Sequence, residues 1–273
     1  DGSFKRGGRY YGGWWTRLPS LWRKRIRIND YKVLEGDYSG IHIVMLYALK
    51  GIDYWQTVNK DPYDISGIEH TETMRKLMKV ILLSSVNAAN RDKARKAILY
   101  EINIQQKEEF YDWYKNSKID IDKIMEAFVK FHEPIKDMFF SNMGIELQYE
   151  DSRMAEIIIN YFTKKEIPVL CVYDSFISEL RHKSELIEKM HEAFREIMGE
   201  FYRGKDNITS QIKIEEKDRM DEKKRRVELK LDRGAKDSTK VIELLKGMDL
   251  ERRSRIYEPK LKLKVRLEGI DKG

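Results

Sequence analysis

The sequence lacks most of the residues and segments that would place it outside ordinary globular proteins. Cys171 is its only cysteine, which excludes an internal disulfide and a cysteine metal cluster. No apolar run approaches the roughly 20 residues of a membrane span, and no segment has the charged-then-apolar order of a signal peptide. Walker-type glycine-rich loops and metal-ligand spacings of histidine are also missing. We therefore expect a globular protein of the cytoplasm with no membrane partner.

Charge is distributed unevenly along the 273 residues, although the net value is only +7. Residues 1–32 hold nine Lys and Arg against two Asp, and residues 203–273 hold 22 against 15, so each end carries +7. The middle of the chain therefore carries −7. Basic ends around an acidic centre suit a protein whose rim meets a polyanion and whose middle holds cations, but an ordinary solvated surface would give the same totals.

Hydrophobic periodicity divides the chain into four parts and predicts an α/β (α+β) fold. The first and third parts, 1–51 and 165–202, carry strand patterns, and 52–164 between them is almost entirely helical. The last part, 203–273, is lysine-rich, so we assign it as a basic, charged C-terminal extension, although KLKLKVRLEG within it alternates like an exposed strand. The predicted helix N-caps are Thr71, Asn90 and Ser152.

Two aspartates stand at the ends of predicted strands, Asp37 in LEGDYSG and Asp174 in VYDSF, with the helical part between them. If those strands lie side by side, the two carboxylates converge, and carboxylates a few ångströms apart need cations to stay ionised together. A pair of Mg²⁺ ions is the usual solution in phosphoryl-transfer sites. Aspartate is also a common turn residue at strand ends, so the spacing leaves both interpretations open.

Four segments, in order along the chain, resemble motifs of the superfamily that joins family A DNA polymerases and the single-subunit RNA polymerases of phage and mitochondria. DYSGIHIVMLYA resembles motif A of the DNA polymerases, where a strand ends in Asp-Tyr-Ser and runs into a helix. TMRKLMKVILLSSVNA resembles motif B, the fingers helix. VYDSFIS resembles motif C of the RNA polymerases, and RGGRYY resembles the Arg-Gly-Arg-x-Tyr segment that precedes motif A there.

This resemblance implies a right-hand architecture, in which the first and third parts form a polymerase palm with a small antiparallel sheet and the second forms a mostly helical fingers insertion. The implied reaction is template-directed nucleotidyl transfer, in which Asp37 and Asp174 are catalytic residues that hold two Mg²⁺ ions as cofactors. The implied partners are a nucleic-acid template, its product strand and nucleoside triphosphates.

Motif B and its neighbours supply the remaining site residues that the resemblance implies. Arg75 and Lys79 stand four apart on one helix face and would contact the triphosphate, and Lys79 would also be catalytic as a proton donor to pyrophosphate. The other implied substrate-binding residues are Arg6, Arg9, Tyr38, His42 and Asn87.

Departures from the family pattern leave the product undecided. The fifth residue after Asp37 is Glu in the DNA polymerases and Gly in the RNA polymerases, but here it is His42, which could either crowd a ribose 2′-hydroxyl or hydrogen-bond to it. Tyr173 replaces the usual His of motif C, and Asn87 and Ala88 replace Tyr-Gly in motif B. RGGRYY and YDSF favour an RNA polymerase, DYSGIH favours a DNA polymerase, and we choose the RNA polymerase.

Two other classes of function fit the same sequence. A non-catalytic nucleic-acid-binding protein could retain a decayed palm, and a helical interaction protein could carry the motifs by chance. Magnesium-dependent binding of a nucleoside triphosphate separates the polymerase from both. Families of this kind place the thumb before motif A, and this chain has 36 residues ahead of Asp37, so we expect a preceding region or a partner chain to supply it.

Overall fold

The described part of the chain is a mixed α+β protein, mostly helical, with one small antiparallel sheet. This architecture confirms the fold class predicted from periodicity. The chain divides into two compact units, which we call the sheet unit and the helical unit. The sheet unit holds the described residues of 9–39, 153–193 and 211–273, and the helical unit those of 1–8, 40–152 and 194–210. The computed structural model describes Gly8, Tyr10 and residues 12–104, 108–202, 208–216 and 265–267.

Strands and helices follow one another in the order that periodicity predicts up to residue 200. The strands of the described residues are β1 (Ile26–Ile28), β2 (Tyr31–Tyr38), β3 (Val169–Val172), β4 (Ser175–Glu179), β5 (Ile212–Glu216) and β6 (Val265–Leu267). The α-helices there are α1 (Ser20–Arg23), α2 (Ile41–Leu49), α3 (Tyr54–Thr57), α4 (Glu72–Asn87), α5 (Arg91–Ile104), α6 (Glu108–Ser117), α7 (Ile121–Phe131), α8 (Gly144–Lys164) and α9 (Lys183–Gly199). Short 3-10 segments lie at Trp14–Arg17, Glu133–Met138 and Leu180–His182.

Strand β2 is the central strand of the sheet. It pairs antiparallel with β4 along one edge, and with β1 and then β5 along the other edge. Strands β3 and β4 form a hairpin, and β6 pairs with β1 at the far side. Every one of these pairings is antiparallel.

The two faces of β2 have different environments because successive side chains point to opposite sides. Val33, Glu35 and Asp37 share the face on which an apolar cluster packs, and that cluster contains Trp14, Leu18, Ile26, Ile28, Val33, Leu170, Val172 and Ile177. The opposite face packs on α9. There the Tyr38 hydroxyl donates to the carbonyl of Met190, and a Cβ built on Gly36 would lie 3.0 Å from the Met190 sulfur.

Helix boundaries in the helical unit are set by side-chain caps, as the sequence predicts at two of three positions. Thr71 Oγ1 accepts from the amide of Met74 at 3.1 Å, and Asn90 Oδ1 accepts from the amide of Lys93 at 2.9 Å. The predicted cap at Ser152 is wrong, because Ser152 lies inside α8 and its hydroxyl donates back to the Tyr149 carbonyl at 2.6 Å. None of the described helices is long and apolar enough to cross a membrane.

The segment assigned from sequence to a separate C-terminal extension contributes to the sheet. Residues 212–216 form β5, which pairs with β2 from Leu34 to Tyr38, and residues 265–267 form β6. The physical reason is visible in IKIEE, where apolar and charged residues alternate with the period of a half-buried strand. Both segments belong to the sheet in the structure. The other residues of the extension, apart from 208–211, lie outside the described residues.

Candidate active site

Asp37 and Asp174 are brought together by the pairing of β2 with the β3–β4 hairpin. Asp37 lies directly opposite Ser175, the first residue of β4, and Asp174 is the last residue of the turn before it. Opposed Cα atoms in an antiparallel pair are about 4.5–5.5 Å apart and consecutive ones 3.8 Å, so the two aspartate Cα atoms lie within about 9 Å. Both side chains are half-buried. The convergence predicted from the two strand ends is thus present in the backbone.

The turn that carries Asp174 is tight and held in an unusual conformation. It consists of Tyr173 and Asp174, and Tyr173 has φ of 59°, which is rare for a bulky residue without a special requirement. Two-residue hairpin turns impose such positive φ values because they match the strand twist. The Cys171 thiol donates to the Tyr173 carbonyl at 3.4 Å, and Trp15 Nε1 donates to the Cys171 carbonyl at 2.8 Å. These contacts hold the backbone of the turn and therefore the position of the Asp174 Cα atom.

Two neighbouring carboxylates are a suitable donor set for Mg²⁺. This ion prefers oxygen ligands and is commonly held by one or two carboxylates, with substrate phosphates and water completing its coordination. Among the described residues no group of three or more His, Cys, Asp or Glu side chains is arranged to hold a metal. An open pair of carboxylates fits these residues, with the remaining coordination positions of the ion filled by water in the free protein and by phosphate when substrate is bound.

Comparison with solved structures finds distant similarity to a set of chains, of which one is a POL domain. The POL domain of Pol1 from M. smegmatis, in complex with DNA primer-template and dNTP, matches with a TM-score of 0.31 and 14% sequence identity. The match covers 68% of this chain and 40% of that one, so the chain spans less than half the length of that polymerase. No family model and no curated protein matches. Because the likeness is this distant, the functional argument rests on the chain's own residues.

A buried ionic group lies next to the aspartates and was missed by sequence reasoning. Glu35, on the same face of β2 as Asp37, is 7% exposed. Arg23 donates two hydrogen bonds to its carboxylate, from Nη2 to Oε1 at 2.8 Å and from Nε to Oε2 at 2.9 Å. The Ser175 hydroxyl also donates to Glu35 Oε1, at 2.7 Å. A glutamate in an otherwise apolar strand, in VLEG, was the sequence signal that could have revealed a buried partner.

Lys213 is a second residue near the site that sequence reasoning did not find. It lies directly opposite Asp37 on the edge of β2 that faces β5, so its side chain shares the face of Asp37. Its side chain is 66% exposed, and Nζ lies 3.5 Å from Glu215 Oε1. A lysine thus lies on the strand next to Asp37. The composition of its segment indicates only a charged extension.

Arg75 and Lys79, described within the helical unit, share one face of α4 as predicted. Both cations lie over the Tyr63 ring, with Arg75 Cζ 4.9 Å and Lys79 Nζ 5.6 Å from its centroid. Arg75 is engaged by Asp61 through Nε to Oδ2 at 2.5 Å and Nη2 to Oδ1 at 3.3 Å. Burial raises the pKa of Asp61, but the hydrogen bonds and charge of Arg75 outweigh it and hold that pKa below its usual value. Arg75 therefore already holds an anion.

The remaining predicted residues differ in how accessible they are. His42 is the one partly exposed residue between Ile41 and Ala48, since its neighbours on α2 are buried. Asn87 is exposed at the end of α4, and its amide donates to the Leu83 carbonyl at 2.7 Å. A Cβ on Gly144 would lie 1.9 Å from Asn87 Oδ1, so a larger residue at 144 would require the Asn87 side chain to move.

Tyr38 and the two N-terminal arginines, Arg6 and Arg9, are the other residues predicted to bind substrate. The Tyr38 side chain is 3% exposed, and its hydroxyl is bonded to the backbone of α9. That position favours a packing role over the predicted contact with substrate, because burial leaves the ring no surface for a ligand. Arg6 and Arg9 lie outside the described residues.

Proposed function

We propose that this chain is the palm-and-fingers portion of a template-directed nucleotidyltransferase that uses two Mg²⁺ ions. The observation that carries the proposal is the strand register, which sets Asp37 opposite Ser175 and next to Asp174. Paired carboxylates at two adjoining strand ends suit a reaction in which metal ions bridge protein and phosphate. If both aspartates served only as turn residues, nothing would require the two strand ends that carry them to lie next to each other.

Asp37 and Asp174 would hold the metal ions in this reaction. When bound there, Mg²⁺ would favour ionisation of the attacking 3′-hydroxyl and neutralise the leaving pyrophosphate. The chain contributes by holding the two aspartates in place: strand β2 fixes the backbone position of Asp37, and the strained turn at Tyr173 fixes that of Asp174. Fixed ligands lower the reorganisation needed when the substrate arrives.

Arg75 and Lys79 would bind the triphosphate. The guanidinium of Arg75 can form two parallel hydrogen bonds to phosphate oxygens, and Lys79 adds a point charge that can donate a proton to pyrophosphate. Asp61 supports this assignment, because its carboxylate makes the same forked contact with Arg75 that a phosphate would make. In the proposed reaction the incoming triphosphate displaces Asp61 from Arg75.

RNA synthesis is the finer assignment that we propose, since RGGRYY and YDSF resemble the single-subunit RNA polymerases. DNA synthesis is the second candidate, and the observation that favours it is DYSGIH, which resembles motif A of the DNA polymerases. The proposed partners are a template, a product strand and nucleoside triphosphates.

Extension of a primed template tests this proposal. The chain is supplied with Mg²⁺ and with either ribonucleotides or deoxynucleotides, and wild type is compared with Asp174→Asn. We expect incorporation to fall at least about 100-fold, because an amide cannot replace a carboxylate as a ligand of a hard cation. Asp112→Asn, an exposed change on α6, is the matched control and should leave the rate unchanged.

Two results would refute parts of this proposal. Incorporation by Asp174→Asn near the wild-type rate, in a variant with an unaltered circular dichroism spectrum, would remove the metal role of Asp174. Wild-type chain that binds nucleic acid but shows no magnesium-dependent binding of nucleoside triphosphate would instead favour a non-catalytic binding protein. The sugar that is incorporated decides between RNA and DNA synthesis.

A further inference from the structure

We propose that Glu35 and Ser175 are positioning residues that set the separation of the Asp37 and Asp174 carboxylates. This inference rests on the proposed two-metal function and deepens it, because it assigns the geometry of the metal pair to a specific buried contact. Neither residue would touch metal or substrate. Their task would be to hold the hairpin that carries Asp174 against the strand that carries Asp37.

The contact joins the two strands at the level of the aspartates. Ser175 is the cross-strand partner of Asp37, yet its hydroxyl reaches along the face to Glu35 Oε1 at 2.7 Å. Asp174 precedes Ser175, and Glu35 lies two residues before Asp37 on the same face. The hydrogen bond from Ser175 to Glu35 therefore links the hairpin at Asp174 to the strand that carries Asp37. Any shift of the hairpin along β2 would stretch it.

The direction of this hydrogen bond follows from the chemistry of the groups. The Ser175 hydroxyl has one proton, and two acceptors are in reach: Glu35 Oε1 at 2.7 Å and the Val172 carbonyl at 3.1 Å. The carboxylate is the stronger acceptor because it is charged, and its distance is the shorter one. Ser175 follows the two-residue turn directly, so its hydrogen bond to Glu35 ties that end of the turn to β2.

Arg23 holds the Glu35 carboxylate in one orientation. Three of its contacts with the carboxylate are 2.8–3.1 Å long, and its Nη1 donates to the Leu18 carbonyl at 2.9 Å. With both Glu35 oxygens engaged by a planar fork, the carboxylate has one orientation available. Oε1 is consequently a fixed acceptor for Ser175 rather than a freely rotating one.

Stability alone is a poor reason for placing these charges here. The neighbours Val33, Val172 and Ile177 form an apolar cluster, and the desolvation of a buried ion pair consumes much of its attraction. Apolar residues of similar volume would stabilise such a position equally well or better. What the ionic group adds is directional bonding, which fixes the register and spacing of the strands that carry the aspartates.

A matched pair of serines on β4 separates positioning from stability. Ser178 is also buried, and its hydroxyl donates to the Pro168 carbonyl at 3.1 Å, but it lies opposite Leu34, on the other face of the sheet from Asp37. Ser175→Ala and Ser178→Ala each remove one buried hydroxyl from the same strand. In urea denaturation we expect Ser175→Ala to lose at least as much unfolding free energy as Ser178→Ala, because the Ser175 hydroxyl bonds a charged acceptor.

The deciding measurement is the affinity for Mn²⁺, used as a spectroscopic substitute for Mg²⁺ and titrated by electron paramagnetic resonance. We expect Ser175→Ala to bind Mn²⁺ about tenfold more weakly than wild type, the effect typical of losing an outer-shell hydrogen bond. Ser178→Ala should bind like wild type, and Ser175→Thr, which keeps the hydroxyl, should restore most of the affinity.

The outcomes distinguish this inference from the function on which it rests. If wild type binds Mn²⁺ and Ser175→Ala binds it equally well, the positioning role is refuted and the proposed function stands. The same conclusion follows if Ser178→Ala weakens Mn²⁺ binding as much as Ser175→Ala, or if Ser175→Thr is as weak as the alanine variant while folding normally. Wild type that binds no Mn²⁺ would overturn both proposals together.

Discussion

The buried histidine of the helical unit makes the stability of this protein sensitive to mild acid. His132 is fully buried among aromatic rings, including those of Tyr47, Tyr54 and Phe128. Its Nε2 lies 3.0 Å from the Pro62 carbonyl, and its Nδ1 lies 3.2 Å from the Tyr47 hydroxyl. Since a carbonyl can only accept, Nε2 carries the proton of the neutral ring and Nδ1 accepts from Tyr47. A second proton would leave the ring charged in an apolar setting.

The size of the effect follows from the pKa difference. Burial lowers the pKa of His132 from 6.5 to about 4, and the hydrogen bond to Pro62 offsets only part of this. Between these two values the unfolded chain binds a proton that the folded chain does not, so stability falls as the pH falls. At about 1.36 kcal/mol per pH unit, His132 should cost roughly 2 kcal/mol of unfolding free energy between pH 7 and pH 5.

Urea denaturation followed by tryptophan fluorescence at both pH values measures this cost. His132→Gln keeps a donor for the Pro62 carbonyl and removes the titrating ring, while the other four histidines remain. We expect the fall in unfolding free energy from pH 7 to pH 5 to be smaller in the variant by that same 2 kcal/mol or so. Equal falls in wild type and variant would show that His132 titrates normally and would refute the reasoning.

Three further predictions concern the proposed sites. Asp61→Asn should lower the KM for nucleoside triphosphate by about 3- to 10-fold, because Arg75 loses its internal competitor; an unchanged KM would separate Arg75 from substrate binding. His42→Gly should reduce ribonucleotide incorporation by up to about tenfold if the imidazole hydrogen-bonds a 2′-hydroxyl, whereas a gain would favour a DNA polymerase. Lys213→Gln should strengthen Mn²⁺ binding by up to about threefold at low salt, because a cation beside Asp37 is removed, and no change would place the lysine charge too far away to matter.

Local sequence signals were sufficient for most of the secondary structure. The strand that ends near Asp37 and the hairpin that turns at Asp174 are each encoded within about ten residues, as apolar alternation followed by turn residues. The caps at Thr71 and Asn90 are similarly local, since a side chain bonds to an amide three residues ahead. Ser152 was misassigned because a serine in mid-helix satisfies its hydroxyl on the preceding turn, a use that composition does not distinguish from a cap.

Long-range pairing produced the features that the sequence could not supply. The contact between Glu35 and Ser175 spans 140 positions, and the cross-strand pairing of Asp37 with Lys213 exists only because β5 returns to the edge of β2. A shift of one residue in either pairing would send these side chains to the opposite face. Their proximity is therefore a property of the register, and no pattern within one segment contains it.

Arg75 illustrates how a residue's chemistry can be predicted while its partner is not. Motif resemblance indicates an anion-binding arginine, and the structure supplies an anion, but it is the carboxylate of Asp61 from the same chain. Carboxylate and phosphate both accept two parallel hydrogen bonds from a guanidinium, so a site shaped for one also suits the other. If triphosphate binds at Arg75, its observed affinity is reduced by the fraction of molecules in which Asp61 holds the arginine. The ion pair with Asp61 would thus keep Arg75 oriented in the free protein. It would also lower the affinity of Arg75 for phosphate, because a phosphate must displace Asp61 in order to bind.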